Sequence, residues 1–193
     1  MRIVCLSDTH GAHRNVAVPA GDLLIHAGDF CAYGSLGELE DFNNWLGELP
    51  HPQKVIIAGN HDICFGSSPL AAENLIKNAV YLNDSAYEWR GLKIWGSPVT
   101  PRFFDFAFNR DRGVDIQKHW DLIPKDTDIL VTHGPPWGIL DKTFKGDSAG
   151  CEALKETLDR LNPQLHLFGH IHEAYGQLES GKTTFINASI MNV

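Results

Sequence analysis

The feature that most constrains the fold is a set of five short apolar runs, each followed at once by side chains that can bind a metal ion. The runs are four or five residues long and rich in leucine and β-branched residues, which is typical of strands buried on both faces of a sheet. They occupy residues 3–7, 23–27, 55–58, 129–132 and 165–168. The sequence therefore predicts a sheet whose strand ends carry polar side chains.

Helices and hairpins are predicted between and after these strands. In SLGELEDFNNWLGEL, Ser35 and Glu38 have the spacing of a capping box before an amphipathic helix, and a second helix in SAGCEALKETLDRLNP stops at Pro163. Strand pairs are expected to turn at Arg90-Gly91 and at Ser180-Gly181. These patterns predict an α/β fold with mixed sheets between layers of helix, formed by residues 1–193 as a single domain.

Composition narrows the class of protein. A chain of 193 residues buries a sizeable core without a disulfide, and its four cysteines show no C-x-x-C spacing, so reduced thiols are expected. The formal net charge of −8 disfavours a surface for bulk nucleic acid, because such binding needs lysines and arginines. With no apolar signal segment and no long apolar run, the cytoplasm is the expected location, without membrane association.

Residues of ligand type follow all five predicted strands. Since the carboxyl ends of strands in an open α/β sheet line a common crevice, these side chains are expected to converge there. Asp, His and Asn without cysteine suit Mn²⁺, Fe, Zn²⁺ or Co²⁺, and seven candidates are too many for one ion with open positions. The candidates are Asp8, His10, Asp29, Asn60, His133, His170 and His172. The alternative reading of the His170/His172 pair is two unrelated histidines on a loop.

The order of the motifs D-x-H, G-D, G-N-H-D, H-G and G-H-x-H resembles that of the calcineurin-like metallophosphoesterases. The stretches GDLLIHAGDF, DILVTHGPPWG and LHLFGHIHEAYG are similar to the metallophosphoesterase-domain-containing branch, whose members are described as cyclic-nucleotide phosphodiesterases. Some animal members have glycine at the position of His170, which this chain retains, so both metal sites are expected to fill. The resemblance implies an α/β sandwich with its active site at the carboxyl ends of the strands.

The resemblance also implies two divalent ions, with Mn²⁺ favoured among Mn, Fe, Zn, Ni and Co. Asp29 is expected to bridge them. One ion would take Asp8, His10, Asp29 and His172, and the other Asp29, Asn60, His133 and His170. In this interpretation the ions lower the pKa of a bridging water, and the resulting hydroxide attacks phosphorus in line.

His61 is the candidate general acid for the leaving oxygen. Asp62 is expected either to orient the ring of His61 or raise its pKa, or to be a carboxylate at a helix start or in a loop. Arg102, Phe104 and Trp137 are candidate substrate-binding residues, and the alternative for them is a small hydrophobic cluster under a loop. Of the other histidines, His26 and His166 are expected in the interior and His51 and His119 on the surface.

The predicted function is hydrolysis of small phosphodiesters such as cyclic nucleotides. Three alternatives remain open at the level of sequence: a phosphomonoesterase, an enzyme acting on macromolecules as a nuclease or protein phosphatase, and a non-catalytic binding scaffold of the same fold. The complete ligand set and His61 favour an enzyme over a scaffold.

Overall fold

The computed structural model describes residues 1–191 and contains both helices and strands, as predicted. The helices are α1 (Leu36–Glu48), α2 (Cys64–Ser67), α3 (Pro69–Leu75), α4 (Val114–Trp120) and α5 (Glu152–Leu161), with 3-10 turns at His13–Asn15 and His172–Ala174. The strands are β1 (Ile3–Leu6), β2 (Leu23–His26), β3 (Gln53–Ile56), β4 (Val80–Tyr81), β5 (Ser85–Trp89), β6 (Leu92–Ser97), β7 (Thr100–Pro101), β8 (Asn109–Arg110), β9 (Ile129–Thr132), β10 (Leu165–Phe168), β11 (Gly176–Ser180) and β12 (Thr183–Asn187).

Two larger sheets carry the five predicted strands. The first is fully parallel, in the order β1-β2-β3-β4. The second has the order β11-β12-β10-β9-β6-β5, with parallel pairing in its centre and an antiparallel hairpin at each edge. An isolated bridge between Ser7 and Ser189 joins the end of β1 to the segment after β12. This mixed architecture confirms the predicted fold class.

Alternating side chains along the strands build a four-layer sandwich. Leu23 and Ile25 point between the two sheets, where they pack in a cluster that includes Ile129 and Leu167 of the second sheet. Leu24 points the other way, into a cluster with side chains of α1. On the outer face of the second sheet, the strands pack in the same way against α4 and α5. Helices thus cover both outer faces, and the strand ends remain open for a site.

Local signals set the ends of the two predicted helices. The hydroxyl of Ser35 accepts the backbone N–H of Glu38 at 3.2 Å, and the Glu38 carboxylate accepts the N–H of Ser35 at 2.9 Å. Helix α5 ends at Leu161, and its C-cap residue Asn162 takes a left-handed conformation directly before Pro163. The hairpin between β5 and β6 turns at Arg90-Gly91 as predicted. The other turn lies one residue later than predicted, at Gly181-Lys182, because Ser180 still pairs with Thr183.

Two histidines differ from expectation. His51 is buried rather than on the surface, and its Nε2 lies 3.0 Å from the carbonyl oxygen of Pro19. His119 is half-buried and lies between Asp84 and Arg110. His26 and His166 are in the interior as predicted. Among residues 1–191, no helix has both the length and the apolar character needed to span a bilayer.

Candidate metal centre

The seven predicted ligands come together where β1, β2, β3, β9 and β10 end. Hydrogen bonds between the loops after these strands hold them: the N–H of His170 donates to Asp8 Oδ2 at 3.0 Å, and the N–H of His61 donates to Asp29 Oδ1 at 2.7 Å. Asp8, Asp29 and His170 all have positive φ, of 56°, 56° and 68°. Such backbone conformations are costly for residues other than glycine, and they concentrate at functional sites.

One cluster consists of Asp8, His10 and His172. His172 Nε2 lies 3.3 Å from Asp8 Oδ1 and 3.3 Å from His10 Nε2. His10 Nε2 is also 3.7 Å from Asp29 Oδ2. Two imidazole nitrogens and two carboxylates therefore surround a common point, at the entrance of a largely buried site.

A second cluster consists of Asp29, His133 and His170, with Asn60 beside it. His133 Nε2 lies 3.3 Å from Asp29 Oδ2 and 2.9 Å from Asn60 Oδ1. The same carboxylate oxygen of Asp29 thus faces an imidazole of each cluster. This is the position that a bridging ligand would take, and the role itself stays a prediction.

His133 shows why these clusters suit a cation. Its Nδ1 lies 2.8 Å from the carbonyl oxygen of Ala27 and donates to it, so Nε2 of the neutral ring carries a lone pair. That lone pair faces the oxygens of Asn60 and Asp29, which are acceptors too. Buried acceptors that converge in this way need a proton or a metal ion between them. Because the possible ligand atoms are nitrogen and oxygen only, the residues fit a divalent metal centre.

The electrostatics of the site favour the same conclusion. Burial is the largest single effect and acts to raise the pKa of Asp29, but the surrounding histidines, His133 first and then His10 and His61, together outweigh it and hold the pKa of Asp29 below its ordinary value. Burial acts to lower the pKa of His133, yet the Asp29 carboxylate raises the pKa of His133 to about 9. A potential that retains a proton this strongly also attracts a divalent cation. By contrast, burial lowers the pKa of His170 to about 4, which keeps its imidazole in the neutral form that ligates metals.

Two glycines allow the loops to approach this closely. A Cβ on Gly59 would lie 2.3 Å from Asp29 Oδ1, and a Cβ on Gly169 would lie 2.1 Å from Asp8 Oδ2. Neither distance is compatible with a side chain. The glycine in G-N-H-D and the glycine in G-H-x-H are therefore part of the geometry of the site.

His61 lies beside the first cluster. Its ring contacts His10 edge-on at 4.7 Å between centroids and stacks on Phe106 at 4.7 Å with an interplanar angle of 28°. Its Nδ1 lies 3.1 Å from the carbonyl oxygen of Ala32 and donates to it. These contacts leave Nε2 available to a substrate.

Asp62 does not orient the ring of His61. Its carboxylate is buried and accepts three backbone N–H groups, from Asp29, Cys31 and Gly59, at 2.7–2.9 Å. Burial, and then the charge of Asp29, raise the pKa of Asp62 well above its ordinary value. Its place in the structure is to join the loop after β2 to the loop after β3, which is closer to the loop-carboxylate alternative than to a catalytic role.

Of the three candidate substrate-binding residues, one lines a cleft beside the metal centre and two do not. Arg102 lines a cleft of about 270 Å³ next to His170, and its Nε donates to Asp111 at 2.6 Å. Phe104 and Trp137 are exposed and do not line this cleft. Residues that sequence reasoning missed are Phe103, Thr143 and Glu173 in the cleft and Phe106 against His61. Phe103 and Phe106 belong to the same run, RFFDF, as the candidates Arg102 and Phe104.

The sequence profile of the calcineurin-like phosphoesterases matches residues 1–174 of the chain. The chain belongs to this family. It is therefore a metal-dependent phosphoesterase, and the histidine and aspartate clusters described above fit the divalent metal centre that such an enzyme needs. The resemblance noted from the five motifs is confirmed.

Proteins similar to this chain in sequence and in fold agree with the family assignment. The human metallophosphoesterase domain-containing protein 1 is 43% identical over 217 residues, covering 100% of this chain and 67% of its own length. A UPF0046 protein of Caenorhabditis elegans is 39% identical over 206 residues, covering 100% of this chain and 70% of its own. The crystal structure of TT1561 of Thermus thermophilus superposes with a TM-score of 0.68 at 16% identity, covering 98% of this chain and 89% of that one. At this identity the superposition shows the fold alone.

Proposed function

We propose that this phosphoesterase is a phosphodiesterase for small phosphodiesters such as cyclic nucleotides, and that it works with two divalent ions, Mn²⁺ being favoured. The observation that carries the proposal is the position of Asp29 between the two clusters, with His61 beside them. Asp8, His10, Asp29 and His172 would hold one ion. Asp29, Asn60, His133 and His170 would hold the other.

The protein's own residues have separate tasks in this mechanism. The ions would supply Lewis-acid stabilisation of the phosphoryl oxygens and a lowered pKa for the attacking water. His61 gives a proton to the leaving alkoxide, and the Ala32 carbonyl and the Phe106 ring hold it in the orientation for this. Asp62 keeps the backbone around Asp29 and Gly59 in place. An alkoxide is a poor leaving group, so a general acid held in this way suits the hydrolysis of alkyl phosphate esters.

The net charge of the chain supports a small substrate, and its unpaired cysteines support a reducing compartment. The net charge of −8 favours a small substrate over a nucleic-acid duplex. The four cysteines are unpaired, which supports a reducing compartment such as the cytoplasm.

The decisive experiment is a metal add-back assay. Protein stripped with a chelator and dialysed should be inactive, and Mn²⁺ should restore hydrolysis better than Mg²⁺, which prefers oxygen ligands. The substrates are 3′,5′- and 2′,3′-cyclic nucleotides with bis- and mono-p-nitrophenyl phosphate. Faster turnover of the diesters supports the proposal. A strong preference for the monoester would make the protein a phosphomonoesterase, and full activity in excess chelator would exclude the metal mechanism.

A further inference from the structure

The segment that runs from β7 to β8, residues 100–110, touches the metal centre at two points. The N–H of Ala107 donates to the carbonyl oxygen of Asn60 at 3.1 Å. The ring of Phe106 stacks on that of His61 at 4.7 Å between centroids. Whatever fixes this β7–β8 segment therefore also helps to place a candidate metal ligand and the candidate acid.

Arg110 anchors the β7–β8 segment at its far end. Its carbonyl oxygen accepts the N–H of Arg102 at 2.9 Å, across the β7–β8 pair. Its side chain reaches α4, where Nε donates to His119 Nε2 at 2.9 Å, and a terminal nitrogen donates to the carbonyl oxygen of Asn109 at 2.8 Å. Within residues 1–191 its guanidinium forms no ion pair with a carboxylate. The contact from Arg110 to α4 thus depends on His119.

His119 is in turn held through its other ring nitrogen. Its Nδ1 lies 2.6 Å from Asp84 Oδ2, and Asp84 Oδ1 accepts the hydroxyl of Ser97 at 2.7 Å. Ser97 is buried at the end of β6, and its carbonyl oxygen accepts the N–H of His133 at 3.3 Å. One chain of contacts therefore joins the β7–β8 segment to the backbone of a candidate metal ligand.

These contacts admit one protonation state of the His119 ring. A guanidinium only donates hydrogen bonds, so Nε2 must accept, while the Asp84 carboxylate accepts the N–H of Nδ1. The ring is therefore neutral. A second proton, on Nε2, would point at the N–H of Arg110 and place two positive charges side by side. Protonation thus keeps the contact with Asp84 and breaks the contact with Arg110.

The other charged side chains near this end of α4 pair with one another. Lys118 Nζ lies 3.6 Å from Asp115 Oδ1 on the same helix, and Asp121 Oδ1 lies 4.0 Å from a terminal nitrogen of Arg160 on α5. Within the described part of the chain, the charged groups in hydrogen-bond contact with the His119 ring are those of the turn before β5 and of β8. Its protonation is therefore felt first by Arg110.

We propose that His119 is a positioning residue, which holds Arg110 and with it the β7–β8 segment against the metal centre only while its ring is neutral. Acidification then releases the segment, and His61 loses the support of Phe106. This role goes beyond the proposed function, because it applies to any phosphoester that the site cleaves.

The test uses His119→Gln, which cannot take up a proton. The amide nitrogen of glutamine can donate to Asp84 and its oxygen can accept from Arg110, so both contacts can form at every pH. Hydrogen exchange of residues 100–110 is followed by mass spectrometry at about pH 8 and about pH 5, the range in which histidines commonly change charge. Mn²⁺ is present throughout. The metal ligands are the same in both proteins, so any release of metal in acid affects both alike.

Protection of the β7–β8 segment, corrected for the intrinsic effect of pH on exchange, should fall about tenfold in the unmodified protein, as the loss of one hydrogen bond to a charged group implies. In His119→Gln it should change little. Arg110→Met should show the low value at both pH values. For the ester that the unmodified protein hydrolyses fastest, kcat should decline less steeply with acid in His119→Gln.

His51→Gln is the matched control, because the ring of His51 contacts the carbonyl oxygen of Pro19 instead. It should keep the pH dependence of the unmodified protein. An equal loss of protection in the unmodified protein and in His119→Gln would overturn the proposal, and so would full protection in Arg110→Met at about pH 8. Exchange needs no substrate, so a failure of the phosphodiesterase function would leave this result unaffected.

Discussion

Asp29 is the residue on which both halves of the metal centre depend. Its Oδ2 faces His10 and His133, while its Oδ1 accepts the N–H of His61. Removing its charge therefore affects both clusters, whereas a change at Asp8 affects one directly.

The first prediction concerns this shared position. Asp29→Asn should lose metal from both sites, and Asp8→Asn should retain about one equivalent. Elemental analysis after dialysis measures the metal bound to each variant, with circular dichroism as the control for folding. One full equivalent held tightly by Asp29→Asn would contradict the bridging role.

A second prediction tests the general acid. His61→Asn should lower turnover of a cyclic nucleotide about 10²- to 10⁴-fold, because a ribose alkoxide needs a proton in order to leave. Turnover of bis-p-nitrophenyl phosphate should fall much less, since p-nitrophenolate is a stable leaving group. Metal content should stay unchanged. Equal losses for both substrates would show that His61 positions phosphate or stabilises charge instead.

At the scale of elements, the site depends on how closely the loops after β2 and β3 pack. The Asp62 carboxylate holds the two loops together by accepting hydrogen bonds from backbone N–H groups of both. Gly59 allows the contact itself, because any Cβ at this position would overlap the Asp29 carboxylate.

The third prediction is that Gly59→Ala separates the two loops. The overlap should cost roughly 1–3 kcal/mol in the free energy of unfolding, as overpacked sites usually do, and should weaken metal binding. Gly37→Ala is the matched control: Gly37 lies in α1 with no close contact at its Cβ position, so alanine should be neutral or stabilising there. Urea unfolding and metal titration measure both effects. An unchanged metal affinity in Gly59→Ala would contradict this account.

At the scale of the whole molecule, buried neutral histidines make the fold sensitive to acid. His166 lies in β10, where its Nε2 donates to the Thr132 hydroxyl at 2.9 Å and its Nδ1 has no partner within the described residues. Burial lowers the pKa of His166 to about 3. Because its folded-state pKa is below the unfolded value of about 6.5, the contribution to stability is complete above pH 6.5 and is lost as the pH falls towards 3.

The fourth prediction follows from the lowered pKa of His166 in the folded state. Between about pH 6 and pH 4, the free energy of unfolding of the unmodified protein should fall by roughly 1.4 kcal/mol per pH unit more than that of His166→Gln, because the variant cannot take up this proton. Urea unfolding of both proteins in chelator, at several pH values, removes any effect of metal release. Parallel pH curves would show that His166 is not neutral in the fold.

The sequence alone determined the α/β class, the five central strands, both predicted helices and the set of residues that meet at the strand ends. These features depend on local chemistry. Hydrophobic runs select strands, Ser35 and Glu38 cap a helix within one turn, and residues such as Asp8 and His170 closely follow the strands that place them.

Only the tertiary structure decided the features that depend on contacts between distant segments. Asp62 binds the backbone of the loop after β2, far from it in sequence, so no local signal separates it from a partner of His61. His51 is buried, and its Nε2 lies 3.0 Å from the carbonyl oxygen of Pro19, which is distant in sequence. The cleft joins Phe103, Thr143 and Glu173, from three separate loops. Which side chains of a loop face one another is set by how the two sheets pack, and that packing energy is spread over the whole core.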